Sequence, residues 1–339
     1  MIGRFKRLFS ATGNGAPEEK TDTPVDVRQP EAAQDAPVLS LAGIEHEYCS
    51  YLLGVNSPLD IPLNGFETQV LDGVEGLLAS ADTVCDALPR LPDVLPKLMK
   101  ALRDERASWE EIAQVVGQDA LLVAEVLRLA NSPCFRAAAK ITCLEQVVMQ
   151  LGLVGLREVV ITVSLKPIMK LGGGHYYQHV GRKVWPQALS TAVACRSLAL
   201  SLKGSRFEAY IAGLVHNVGM VLVVQILQAI SQGTEAPRSI QFRNRIQQSA
   251  KRLTCLIARQ WDLPAASVEA LQDQVDPTAG RMSPLGRILQ YATHLSMLQS
   301  LAREGRVEDI EPYFLSLPDS DRSACERALS EIEAHARSF

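Results

Sequence analysis

Asp119-Ala120-Leu121-Leu122-Val123-Ala124-Glu125-Val126-Leu127-Arg128-Leu129-Ala130-Asn131-Ser132 reads as a complete helix with both ends marked. Asp119 suits the N-cap, where a side-chain oxygen can accept the orphan N–H groups of the first turn. Leu122, Val126, Leu127 and Leu129 supply the apolar face. Asn131 and Ser132 close the helix, because Asn can hydrogen-bond exposed backbone groups and tolerate a left-handed conformation. Pro133 then prevents continuation. The plain reading of Asn131 is a hydrogen-bonded elbow, not a ligand contact.

Helical patterns continue in both directions. On the C-terminal side lie Leu144–Gln150 and Val154–Lys166, with Gly152 as a stop between them and Gly155 as a close-packing position. Pro167 ends the second piece, and Gly172-Gly173-Gly174 reads as a hinge between two halves. On the N-terminal side Ser108 is an N-cap with Glu111 three residues on, the spacing of a capping box. Earlier still come an amphipathic face of Val94, Leu95, Leu98 and Leu102, a helix over 67–87 and a short one over 41–54. The second half reads as helices over 184–202, 207–229, 239–261 and 284–302, with a shorter one near Val268 and a last one near 321–337. Alternating strand patterns are nearly absent and aromatics are 5% of the chain, so the expected fold class is all-α.

Composition narrows the function classes. The 339 residues carry 47% hydrophobic and 21% charged side chains, enough for a sizeable core. A net charge of −4 gives no general drive towards nucleic acid. Seven cysteines are scattered without a CxxC spacing, as expected for buried thiols in a reducing cytoplasm. No uninterrupted apolar run reaches the roughly eighteen residues of a membrane span. Residues 1–9 are basic and amphipathic and suit weak contact with an anionic membrane surface. Residues 10–38 lack large apolar side chains and read as a disordered linker.

The helix at 119–132 and its continuation Lys140-Ile141-Thr142-Cys143-Leu144-Glu145-Gln146-Val147-Val148-Met149-Gln150-Leu151-Gly152-Leu153 resemble the signature of HDOD domains. Leu88-Pro89-Arg90-Leu91-Pro92, Ile112-Ala113-Gln114-Val115-Val116, Trp185, Gly213-Leu214-Val215-His216-Asn217-Val218-Gly219 and Trp261-Asp262-Leu263-Pro264 follow the same order. Asp119, Leu129, Asn131, Ser132 and Gly152 are the structural positions of that motif. The resemblance implies an all-helical relative of the HD metal-dependent phosphohydrolases, with two packed helical halves and usually without a full metal site. It also implies bacterial signal transduction in the cytoplasm through protein–protein contact. The expected organisation is 1–40 for the basic segment and linker, 41–87 for extra N-terminal helices, 88–300 for the HDOD domain and 301–339 for a C-terminal helical tail.

The same resemblance marks where a metal site would lie. The family's first His falls just after the tryptophan, but here Trp185 is followed by Pro186 and Gln187. The central Asp is replaced by Asn217, a neutral amide that brings no charge to hold a divalent cation. Only His216 survives, and one imidazole cannot hold a catalytic ion. A half-buried His216 bonded to a backbone carbonyl is the expected state. His175 and His179 have a zinc-compatible spacing but no third ligand.

These positions predict no catalytic residue, no metal and no cofactor. The chain reads as a non-catalytic HDOD signalling protein with a protein partner of unknown identity. The alternatives are a degenerate HD-type phosphohydrolase, or a sensor holding a nucleotide second messenger in the vacated pocket. Arg243, Arg245 and Arg252, with Lys251, are candidate phosphate or partner contacts on one predicted helix.

Overall fold

The computed structural model describes residues 40–79, 98, 100–102, 104, 107–132, 135, 139–169, 174–231, 236–277 and 280–336. Residues 1–9, the linker at 10–38, the end of the helix predicted over 67–87, and Gly172 with Gly173 lie outside that set. The helices are α1 (Leu41–Leu53), α2 (Gly65–Leu78), α3 (Trp109–Val116), α4 (Ala120–Ala130), α5 (Leu144–Met169), α6 (His175–Ser201) and α7 (Arg206–Val215). They continue as α8 (Val218–Ile230), α9 (Ile240–Gln260), α10 (Ala265–Asp273), α11 (Pro284–Arg303), α12 (Glu311–Ser316) and α13 (Asp319–Ala336). No strand forms among the described residues, and the fold is the all-α class expected.

Local chemistry sets the first half. Asp119 Oδ1 accepts the N–H groups of Leu121 and Leu122, which starts α4. Asn131 ends it in right-handed geometry, φ −82° and ψ −2°, rather than the left-handed one its residue type allows. Its side chain explains why: Nδ2 donates to Leu127 O and Ile141 O, and Oδ1 accepts from Ile141 N. This is the hydrogen-bonded elbow, and it pins the start of the next segment. Gly152, at φ 71° and ψ 176°, breaks α5 into the two expected pieces. The second piece runs on past Pro167 to Met169, although proline removes one i→i−4 bond there. The capping box expected at Ser108 is half made, with Ser108 Oγ accepting from Glu111 N. A reciprocal box forms instead at Asn64 and Glu67, opening α2.

In the second half, α6 is the central helix, packed by α7, α11 and α13. The pair α8 and α9 packs beside it, with Gly219 at the closest approach. A Cβ at Gly219 would lie 2.1 Å from Ala250 O, so only glycine fits there. Buried Glu158 of α5 joins the halves through Arg196 at 3.4 Å and Arg206 at 3.2 Å. Burial raises the pKa of Glu158 despite those two cations. Leu144–Met169 and the tandem Arg206–Ile230 are long and apolar enough to cross a membrane by length and composition, contrary to the reading of the sequence. Within the fold, 61% and 83% of their most apolar windows are buried against other helices.

The N-terminal helices are built into this body. α1 packs on α6, α9 and α11, and α2 packs on α8 and α9. Glu67, fully buried, uses Oε2 for Asn64 N and Oε1 for the N–H groups of Arg238 and Ser239. Leu59 forms a short bridge to Ser239. One carboxylate thus organises both the start of α2 and the strand-like entry into α9.

Candidate functional site

The helix expected over 207–229 is broken at His216 and Asn217. Thr254 of α9 stabilises the break: its hydroxyl accepts Gly219 N–H at 3.0 Å and lies 3.2 Å from His216 O, to which it donates. His216 Nδ1 lies 2.6 Å from Gly213 O. Because a carbonyl only accepts, Nδ1 carries the proton and Nε2 presents a lone pair. Burial pushes the His216 pKa down to about 4, with the Gly213 bond opposing, so the ring is neutral at pH 7.

The two positions at which the resemblance expects ligands, Gln187 and Asn217, meet. Asn217 Nδ2 donates to Gln187 Oε1 at 2.5 Å. Gln187 Nε2 in turn points to Thr191 Oγ1 at 3.2 Å and Ser296 Oγ at 3.0 Å, and those hydroxyls are 2.7 Å apart. Where an HD enzyme would direct imidazole and carboxylate at a cation, this chain ties two amides and two hydroxyls to one another. A neutral amide oxygen already accepting a hydrogen bond, as Gln187 Oε1 does, is a poor ligand for a divalent ion. Among the described residues, no group of three or more His, Cys, Asp or Glu side chains is arranged to hold a metal.

A cavity of about 50 Å³ remains beside His216 and Asn217, walled by α1, α8, α9 and α11. His216 Nε2, Tyr48 Oη and Thr293 Oγ1 are buried on its lining without a hydrogen-bond partner. Its charged corner is complete. Glu45 Oε2 accepts from Lys251 Nζ and Gln247 Nε2, each at 2.7 Å, and Oε1 lies 3.6 Å from His294 Nε2. Burial pulls the Glu45 pKa up, but His294 and Lys251 outweigh it and hold the carboxyl at about 2. Burial pushes the neighbouring Cys49 thiol up to about 12, so it offers no thiolate.

The arginines of α9 do not converge. Arg243 is buried, its Nε donating to Asn244 Oδ1 at 3.2 Å. Arg245 pairs with Glu75. Arg252 is exposed and shares with Arg245 an open depression that also contains Glu75. His175 and His179 stack, with ring centroids 6.5 Å apart. Lys183 Nζ donates to His179 Nε2 at 2.9 Å, which occupies that nitrogen's lone pair. Glu45, Tyr48, Thr191, Thr254 and Ser296 carry no signal in the sequence. Each lies on a helix remote in the chain from His216, and two belong to α1, outside the resemblance.

Residues 88–277, more than half of the chain, match the family model of the HDOD domain. An uncharacterised protein of Treponema pallidum is 28% identical over 151 residues, spanning 43% of this chain and only 28% of that protein. An HDOD domain protein of unknown function from Geobacter sulfurreducens superposes with a TM-score of 0.57 at 21% identity, covering 78% of this chain and 98% of that one. A Shewanella amazonensis protein provisionally named a metal-dependent phosphohydrolase gives 0.55 at 20% identity, covering 79% and 100%. A Marinobacter aquaeolei protein provisionally named a signal transduction protein gives 0.50 at 18% identity, covering 89% and 69%.

Proposed function

The chain belongs to the HDOD family, and from that premise we propose that it is a non-catalytic, cytoplasmic signalling protein that acts by binding a protein partner. The observation that carries this reading is the bond between Gln187 and Asn217. It joins the two positions whose counterparts would be metal ligands and engages the Gln187 oxygen with the Asn217 amide. His216 is then a neutral imidazole around which no set of three ligands gathers among the described residues. The likeness to a protein named for signal transduction supports the role at the level of fold. Among the described residues the two most exposed large apolar side chains, Met149 (83%) and Leu121 (79%), lie on the signature half and suit contact with a partner. Five described cysteines are unpaired, in keeping with a reducing compartment. The acidic net charge gives no support to a nucleic-acid partner.

A nucleotide messenger in the vacated pocket is not favoured. The space beside His216 is about 50 Å³, whereas small-molecule sites run from roughly 300 to 1,000 Å³. It has room for about three or four water molecules.

The test is metal content and hydrolysis of bis(p-nitrophenyl) phosphate, using full-length protein from cells supplied with manganese, iron and zinc. We expect well under one metal equivalent and no metal-stimulated turnover. One or two tightly held equivalents, with turnover lost in His216→Ala, would overturn the non-catalytic reading. Asn217→Asp sharpens it: a carboxylate facing Gln187 Oε1 should lower stability without recruiting metal, since Gln187 still blocks the first ligand position.

A further inference from the structure

Gln187 has a second side. Behind its bond to Asn217 lies a half-open cleft of about 340 Å³ between α1, α6 and α11. That is some seven times the volume of the cavity beside His216 and within the range of small-molecule sites.

Its floor is polar, and its polar atoms reach solvent in the cleft at Ser190 and Gln299. Ser190 (7% exposed) and Gln299 (8% exposed) make no side-chain hydrogen bond within the described residues. Tyr48 (2% exposed) lines the cleft as well, and its hydroxyl has no partner. Buried polar atoms are nearly always bonded, at about nine in ten or better, so the open Tyr48 hydroxyl is the unusual one. Gln187, on the same floor, is fully engaged.

The rim supplies charge and the wall an aromatic face. Arg182 and Arg303 are exposed and have no ion pair among the described residues. Lys183 stands beside them, with Nζ donating to Tyr51 O at 2.6 Å and 3.7 Å from the Tyr51 ring. Glu304 is the one carboxylate of the lining, against those three cations. Trp185 is half-buried in the wall.

We infer that this cleft binds a nucleoside monophosphate. The Gln299 carboxamide presents a donor and an acceptor side by side, the pattern that pairs with the edge of a base. Ser190 and Tyr48 offer hydroxyls for the sugar or base. Trp185 offers a stacking face, and guanidinium groups are suited to forked bonds with a phosphate. An inorganic anion would use the rim and leave the floor unmet. An acidic peptide would have no use for Trp185. The inference is independent of whether His216 ever held a metal.

The experiment is calorimetric titration of the full chain with AMP, GMP, CMP and UMP, with pyrophosphate, adenosine and a short oligoglutamate as controls. Saturable one-to-one binding of at least one nucleotide is expected, with the matching nucleoside and pyrophosphate each weaker by about tenfold or more. The double variant Arg182→Ala/Arg303→Ala should weaken binding by about the same factor while keeping its melting temperature, since neither side chain has an ion pair among the described residues. Absence of saturation with all four nucleotides would overturn the inference. So would pyrophosphate or oligoglutamate binding as tightly as a nucleotide, or unchanged binding in the folded double variant.

Discussion

Two spaces flank Gln187, and they were finished differently. On the Asn217 side the amides, two hydroxyls and Glu45 answer one another, while His216 Nε2 and Thr293 Oγ1 are left without a partner. The space left is small, at about 50 Å³. On the Ser190 side the space is about 340 Å³ and its floor is unanswered, with loose cations at the edge. The difference teaches that amides and hydroxyls bonded to one another leave little space between their helices, whereas side chains turned to solvent keep a space open.

The contrast predicts that changes on the closed side alter stability and changes on the open side alter binding. Gly219→Ala should have the largest effect. Its Cβ would strike Ala250 O and push α8 away from α9, at about 3 kcal/mol in chemical denaturation. A loss under 1 kcal/mol would mean that the α8–α9 contact is loose and the closed side is not closed.

Glu45→Gln comes next, at about 2 kcal/mol at pH 7, because it leaves Lys251 half-paired. The acid's pKa is about 2 in the fold against an ordinary 4.5. Its contribution is therefore present above pH 4.5 and lost as pH falls from there towards 2, and the variant should flatten that part of the stability curve. His216 acts higher on the scale. Its neutral form is favoured in the fold, with a pKa near 4 against 6.5. Stability is full above pH 6.5 and falls towards pH 4, by up to about 1.4 kcal/mol per pH unit. Buried His335, also near 4, adds to the same window. Replacing His216 by Gln should remove roughly half of that slope in denaturation at stepped pH, and an unchanged slope would place the ring in water. Smallest of all, Arg182→Ala should move the melting temperature by no more than about 2 °C. A larger shift would mean that the open rim is structural.

Much of the fold was legible because helix ends are written locally. Asp119 caps α4 and Ser239 caps α9 as their residue types demand. Asn131 was readable as an elbow, though its right-handed backbone follows from a bond to Ile141 ten residues on. The break at His216 was not readable, because the group that stabilises it is Thr254 on another helix. For the site, Gln187, His216 and Asn217 stood out by their place in the motif, and Gln187 and Asn217 proved to be in contact. Spacing could not say which cations of α9 find acids: Arg245 meets Glu75, Lys251 meets Glu45, and Arg243 turns inward. Residue 45 is 206 positions from residue 251, a separation no periodicity reports.

Glu67 bears on how this family should be cut for study. The recognisable HDOD sequence begins at residue 88, yet the carboxylate that receives the N–H groups of Arg238 and Ser239 lies twenty-one residues earlier. A fragment begun at the family boundary would strip α1 and α2 from α6, α8, α9 and α11, baring apolar surface and stranding two buried donors. The border drawn by shared ancestry thus crosses the interior of a single cooperative unit, and a shortened protein that precipitates would be reporting a misplaced cut and not a defect of the domain.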